Sequence, residues 1–240
     1  MSFLKQTEKG IKITAWSFSR WTCYEGCPRK AKYKFIDKLP EPQGEALARG
    51  TMLHELAEFF LRGIKKTIPK ELELISEVLK KLKKQGALAE AEFAFDKDWK
   101  PVEWFSKDAW CRVKADATVL PVLGKGVPTV KVDDFKSGGK ADKLNFDDNP
   151  EYEMQLELYS LAGLLAYPTA EKAETSLIFI DYGKVVVNEK VFTRSDVPKL
   201  KKLWEKRTKR MLADTVFAPN PGRACTWCHF RKSKGGPCSY

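Results

Sequence analysis

Residues 129–137, TVKVDDFKS, constrain this chain more than any other stretch. Side chains on a β-strand alternate between its faces, so Val130, Val132, Asp134 and Lys136 share one side. Two valines followed by a carboxylate and an amine describe a strand that leaves an apolar core and ends in a polar setting. Asp134 and Lys136 can simply neutralise each other at the surface. Alternatively, they can bind a metal and position a water.

Helical patterning precedes this strand. SFSRWTCYEGCPRKAKYKFI (17–36) reads as one helix capped by Ser17 or Ser19, and KLPEPQGE (38–45) as a loop. GTMLHELAEFFLRG (50–63) is a glycine-bounded amphipathic helix with Leu53, Leu56, Ala57 and Phe60 on one face. Another helix covers about 70–85 and stops near Gly86. The period then changes to two: 91–95, 109–120 and 129–137 read as a meander, with 121–128 joining the last two strands. A strong helix at 150–167 follows, then strands at 176–183 and 184–192, a basic helix at 196–213 and a Pro/Gly/Cys tail. There is no internal repeat, low-complexity tract or P-loop. The expected fold class is α/β, a mixed central β-sheet flanked by helices. The expected organisation is a single domain over 1–240, with an N-terminal helical segment at 12–49 and a cysteine-rich tail at 214–240.

Lys and Arg number 43 against 32 acids, a formal charge of +11. That excess favours a polyanionic partner, above all nucleic acid. The basic residues cluster in KKLKK (80–84) and KLKKLWEKRTKR (199–210), both of which read as solvated helix faces. No run approaches the roughly 18 apolar residues of a membrane span, and MSFLKQTEKG lacks the apolar run of a signal peptide. The expected location is cytoplasmic.

The middle strand places Arg112, Lys114, Asp116 and Thr118 on one face and Val113, Ala115, Ala117 and Val119 on the other. Asp116 and Asp134 converging from adjacent antiparallel strands would form an oxygen-rich site suited to Mg²⁺ or Mn²⁺. A nearby lysine can orient a water or stabilise developing charge. Taken singly, each feature also has a bland reading. The strand can be an exposed one with alternating charges, and His54, one of two histidines, a solvated helix residue. Gln155 and Tyr159, four residues apart, share a helix face that can border the core.

In combination these segments resemble a known set. GTMLH (50–54), AD (115–116), DFK (134–136) and QLELY (155–159) follow the motif order of the PD-(D/E)XK nuclease superfamily, and specifically its RecB-type branch. That branch includes helicase–nuclease domains, CRISPR spacer-acquisition nucleases and stand-alone phage nucleases. SFSR (17–20) leading to CPRK (27–30) resembles the branch's N-terminal helix, so the likeness spans 17–238. The resemblance implies a restriction-endonuclease-like core in which His54, Asp116, Asp134 and the backbone carbonyl of Phe135 bind the divalent metal. Lys136 would position or activate the attacking water. Gln155 and Tyr159 would contact the DNA backbone or support the lysine. Glu92 resembles an acidic residue often found on the preceding strand, with no role assigned. The implied activity is a metal-dependent DNA nuclease, an exonuclease acting on single-stranded or end-containing DNA in processing, recombination or repair. It would act in a bacterial or phage-infected cell, and a helicase or recombination partner would supply any unwinding. The rival readings are a catalytically silent DNA-binding module and a zinc-stabilised adaptor.

Six cysteines in a reducing compartment do not suggest a disulfide framework, and the Cys-x-x-Cys at 225–228 suggests metal or redox work. Several members of the resembled branch hold an iron–sulfur cluster with one cysteine before the nuclease core and three after it. Here those are Cys27, Cys225, Cys228 and Cys238, a set that would join the chain ends. The nine residues between Cys228 and Cys238 are more than that pattern leads one to expect. Cys23, one helical turn from Cys27, or His229, beside Cys228, could instead complete a zinc site. Cys111 falls on the apolar side of its strand and reads as core.

Overall fold

The structure is a computed structural model that describes residues 4–7, 10–42, 44–124, 126–138, 149–187 and 190–240. Parts of the expected loop at 38–45, the connection at 121–128 and the strand at 184–192 (residues 43, 125 and 188–189) lie outside the described residues.

The chain opens with a hairpin that the sequence reading did not anticipate, β1 (Leu4–Thr7) and β2 (Gly10–Ile13). The single helix expected at 17–36 is three pieces: α1 (Phe18–Gly26), α2 (Pro28–Ala31) and a π-helical turn at Lys32–Ile36. The break has a local cause. Proline cannot donate the helical N–H and pushes its predecessor out of the helical region. Cys27 accordingly sits at φ −163°, ψ 111°. Ser17 caps α1, its side chain accepting from the Arg20 N–H.

Helix α3 (Glu45–Leu61) begins five residues earlier than expected, which places Gly50 inside it. Gly50 approaches its neighbour closely there, since a Cβ would lie 2.9 Å from the side-chain Oγ of Ser137, just beyond the strand at 129–136. The helix expected at 70–85 is a 3₁₀ turn at Lys70–Ile75 followed by α4 (Ser76–Lys84). Then come β3 (Leu88–Phe95), β4 (Pro101–Val102), β5 (Cys111–Val119), β6 (Thr129–Lys136), α5 (Pro150–Ala166), β7 (Lys172–Phe179), β8 (Lys184–Val187), β9 (Phe192–Thr193) and α6 (Val197–Ala213).

The sheet runs β4-β3-β5-β6-β7-β8, with β9 also on β7. Among the described strands only β6 and β7 pair in parallel, and α5 supplies the crossover between them. The sheet is therefore mixed, as expected. One face carries α1, α5 and α6, with Val130, Val132, Leu156 and the stacked Trp16–Trp204 pair in its core. Gly163 lets α5 settle on the sheet, because a Cβ there would reach Val130 at 3.0 Å. The other face carries α3 and α4 over Val119, Phe135 and Ile178.

The apolar side of β5 is divided between these layers rather than facing one of them. Val113 and Ala115 pack with α5, but Ala117 and Val119 pack with α3 and α4. In β3 the same reversal separates Ala91 and Phe93 from Ala89, and from Ala87 just before the strand. Both reversals fall at one rung, where Glu90 adopts a left-handed φ of 55° opposite Asp116. Among the described residues no helix is long and apolar enough to cross a membrane.

Candidate active site

Strands β5 and β6 pair from Val119↔Lys131 to Ala117↔Asp133 and then part. One step beyond the last pair stand Asp116 and Asp134. The β6 strand continues alongside β7 to Lys136↔Phe179, so the split opens a cleft without leaving β6 unsupported. Where the ladder stops, Asp116 substitutes for it: its Oδ2 accepts the Phe135 N–H at 2.6 Å. Its Oδ1 lies 2.9 Å from His54 Nδ1 on α3.

Asp134 faces α5. Its Oδ1 accepts from Tyr159 Oη at 2.8 Å and from Gln155 Nε2 at 3.0 Å. Its Oδ2 lies 2.6 Å from Lys136 Nζ, an ion pair without hydrogen-bond alignment that leaves this buried oxygen with no hydrogen bond. Lys136 Nζ donates to Gln155 Oε1 at 2.8 Å and sits 5.4 Å from the centre of the Tyr152 ring. Gln155 and Tyr159 thus lie on the helix face expected and orient both charged groups of the strand end.

A ring nitrogen of His54, a Glu90 carboxylate oxygen and an Asp116 oxygen fall within 4.8 Å of one another. Glu90 is the residue that sequence reasoning missed. Glu92, the acid it named, stands opposite Lys114 in the ladder, one side-chain repeat away. The register that sets Ala91 against Ala115 brings Glu90 beside Asp116, and that register is seen only in the folded hairpin. Lys114 pairs with Glu90 and lines the same cleft, which encloses 730 Å³ beside Gly50, Thr51, His54 and Ser137.

The electrostatics suit a cation. Burial pushes the Asp116 carboxyl up, and the Asp134 charge adds to this against the opposing pull of His54 and the Phe135 N–H, leaving its pKa at about 6. Burial pulls His54 down, but its bond to Asp116 and the charges of Asp116, Asp134 and Glu90 outweigh that and raise it. Burial, reinforced by the Asp134 and Asp116 charges, holds Tyr159 far above the ordinary phenol range, so its hydroxyl remains a donor. Imidazole plus convergent carboxylates is a donor set for Mg²⁺ or Mn²⁺. The unsatisfied Asp134 oxygen and the reluctant Asp116 ionisation are both relieved by a divalent ion.

A second cavity, of 470 Å³, is lined by Cys23, Cys27, Cys225, Cys228 and Cys238. Several contacts hold the tail to the N-terminal helices. Arg29 Nε donates to the Phe217 carbonyl at 2.8 Å, and the Asn220 N–H lies 3.5 Å from Cys27 Sγ. Tyr33 Oη donates to the Pro237 carbonyl at 3.3 Å, and its ring packs on Phe230 with centroids 5.5 Å apart. The long gap before Cys238 is a turn: Gly235 is left-handed, and Gly236 lies so close to Phe230 that a Cβ would meet its carbonyl oxygen at 2.3 Å. That turn lets the Cys238 N–H donate to the Phe230 carbonyl at 2.9 Å. His229 is not among the residues lining the cavity, and Cys111 is wholly buried in the core.

A sequence profile described as the PD-(D/E)XK nuclease superfamily matches residues 15–118 and 122–233. Among solved structures, a candidate exonuclease from Eubacterium rectale superposes with a TM-score of 0.51 at 13% identity, covering 92% of this chain and 87% of that one. That likeness concerns the fold. An alkaline exonuclease from Laribacter hongkongensis has a TM-score of 0.42 at 9% identity, covering 82% of this chain and 88% of that one. No curated protein sequence matches significantly. With a profile that spans most of its length, this chain belongs to the PD-(D/E)XK nuclease superfamily.

Proposed function

We propose that the chain is a divalent-metal-dependent deoxyribonuclease that degrades DNA from its ends. The observation that carries this reading is the parting of β5 and β6 at Asp116 and Asp134, with Lys136 held beside them. His54, Asp116, Asp134 and Glu90 would hold the metal. When bound, such an ion polarises a phosphoryl oxygen and makes water a better nucleophile at neutral pH. Lys136, aimed by Gln155 and Asp134, orients the attacking water and offsets the negative charge that builds on the phosphoryl oxygens. Water oxygen bonds to phosphorus as the ester P–O bond breaks; the water gives up one proton to solvent and the leaving oxygen takes one up, so the step balances. Gln155 and Tyr159 keep the lysine and Asp134 in place.

The cysteine cavity supports an iron–sulfur cluster on Cys27, Cys225, Cys228 and Cys238 over a zinc ion. Four thiolates around zinc, with Zn–S near 2.3 Å, place sulfurs about 3.8 Å apart. Here no three of the thiols lie within 4.8 Å of one another, and they border a cavity of 470 Å³.

Exonuclease action is tested with uniformly labelled linear and covalently closed circular DNA, in Mg²⁺, in Mn²⁺ and with chelator. Linear DNA should yield short products in either metal and none with chelator, while circles persist. Equal loss of circles would replace the end-dependent reading with an endonuclease.

A further inference from the structure

Lys136 has a counterpart across the cleft. The register that pairs Ala117 with Asp133, carried one step on, sets Asp116 level with Asp134. Two residues further it sets Lys114 level with Lys136, on the far lip where β5 and β6 have parted. Each strand therefore offers a carboxylate and, one side-chain repeat beyond it, a lysine. Lys136 is held on its side by Asp134 and Gln155, and Lys114 on the other by Glu90. The Lys114 backbone is fixed as well, because its carbonyl accepts the Tyr159 hydroxyl at 3.0 Å. Its side chain is 50% exposed, against 15% for Glu90. It lines both the carboxylate cleft and an adjoining cavity of 360 Å³ that Gln155 and Tyr159 border.

Glu90 has two roles that conflict. It is the counter-charge of Lys114, and it converges with His54 and Asp116 on a place for a cation. A Glu90 carboxylate that shares its charge with a divalent ion holds an ammonium less well, and the two cations repel each other at close range. Lys114 stays an ammonium throughout. Its bond to Glu90 raises its pKa against burial, and the charges of Glu90, Glu92 and Glu58 add to this. Neither of the other acids replaces Glu90 strongly. Glu58 pairs with Arg62 at 2.8 Å, and Glu92 is an exposed residue opposite Lys114 in the ladder, where an ion pair is weak. A phosphate oxygen of bound DNA is a stronger partner for the displaced ammonium.

We propose that Lys114 is a phosphate-binding residue of the cleft, held on Glu90 until a divalent cation takes up that carboxylate, and then turned to a backbone phosphate next to the bond being cut. This rests on the nuclease reading and adds a coupling to it: metal and DNA each strengthen the binding of the other. Lys136 and Lys114 then grip the strand from the two lips of the cleft, the first beside the attacking water and the second on a neighbouring phosphate.

The test is binding of a labelled oligothymidylate, followed by anisotropy over a series of salt concentrations, in Ca²⁺ and in chelator. Each phosphate contact to a single strand contributes about 0.7 to the slope of log affinity against log salt. In Ca²⁺, Lys114→Gln should flatten the slope by about 0.7, and in chelator it should change it far less. Glu90→Gln should steepen the slope in chelator by about 0.7, and Glu90→Gln/Lys114→Gln should lose that gain. Lys114→Arg, which keeps the charge, should keep the wild-type slope in Ca²⁺. Coupling is reciprocal, so the oligothymidylate should tighten Ca²⁺ binding, read by calorimetry, more in wild type than in Lys114→Gln protein. A Lys114→Gln effect that is equal in Ca²⁺ and chelator, or absent from both, would overturn the proposal. Wild-type protein that neither binds nor cuts any DNA would instead sink the nuclease reading itself, and this proposal with it.

Discussion

At Glu90 a strained backbone and a carboxylate coincide. A left-handed conformation costs an ordinary residue roughly 1–2 kcal/mol, and it persists here in the middle of β3, where a regular strand would avoid it. The same conformation reverses the packing of both strands and directs Glu90 towards His54 and Asp116. Glycine tolerates that φ, so Glu90→Gly should unfold at a higher temperature by an amount corresponding to about 1 kcal/mol. It should also need more Mn²⁺ for half-maximal activity. Unchanged metal titration would remove Glu90 from the site. His54→Ala should shift that titration in the same direction, with partial recovery at high Mn²⁺. Asp134 and Lys136 were legible because period-two alternation puts them on the side of Val130 and Val132, and Gln155 and Tyr159 because four residues make one helical turn. Glu90 was not. Uniform alternation assigns each strand one buried face, whereas the reversal at Glu90 depends on a backbone angle that glutamate does not advertise.

Among the elements, the N-terminal helix and the tail depend on each other. From sequence alone, 17–36 reads as a single helix capped by Ser17 or Ser19. The physics of proline at 28 wins instead, and the resulting break places Cys27 at the cavity the tail completes. The tail's own path rests on Gly235, which is left-handed, and on Gly236, whose need for glycine lies in its close approach to Phe230, a contact that no local pattern records. Gly236→Ala should therefore loosen the tail, seen as faster proteolysis after Asp214, while the sheet keeps its circular dichroism. The end of α6 is tied to α1 by Asp214, which accepts from Tyr24 Oη at 2.7 Å and from the Val216 and Phe217 N–H groups at 2.8 and 3.0 Å. Burial works to raise its pKa, but these donors and Arg210 outweigh it, and the value is lowered. A carboxylate depressed in the folded state contributes stability above its unfolded pKa of about 3.9 and loses it as pH falls through the folded value. Asp214→Asn should lower the melting temperature at pH 7, and the gap from wild type should narrow below about pH 4. A gap independent of pH would show that the carboxylate charge is not the source.

At the scale of the molecule, the sheet separates two apolar layers, and the chemistry sits where β5 and β6 diverge between them. The mixed sheet with helices on both faces was legible from the change of period along the chain. The parting of the strands was not, because it arises from Asp116 taking the Phe135 N–H in place of a ladder partner. If the cysteine cavity holds an iron–sulfur cluster, protein purified without oxygen should be brown and contain iron and acid-labile sulfide. Serine at Cys27, Cys225, Cys228 or Cys238 should then bleach it and lower its melting temperature, and serine at Cys23 should do little. Colourless protein with stoichiometric zinc would contradict the cluster without touching the nuclease site, whose ligands are different residues. The central claim is that Asp116, Asp134 and Lys136 form a phosphodiester-cleaving centre, and the most direct measurement is single-turnover cleavage of end-labelled DNA in Mn²⁺. Wild-type protein should cut. Asp134→Ala and Lys136→Ala should lose at least about a hundredfold in rate, as loss of a group that stabilises transition-state charge typically does, while still binding DNA. Full-rate cleavage by folded Asp134→Ala protein would contradict the account.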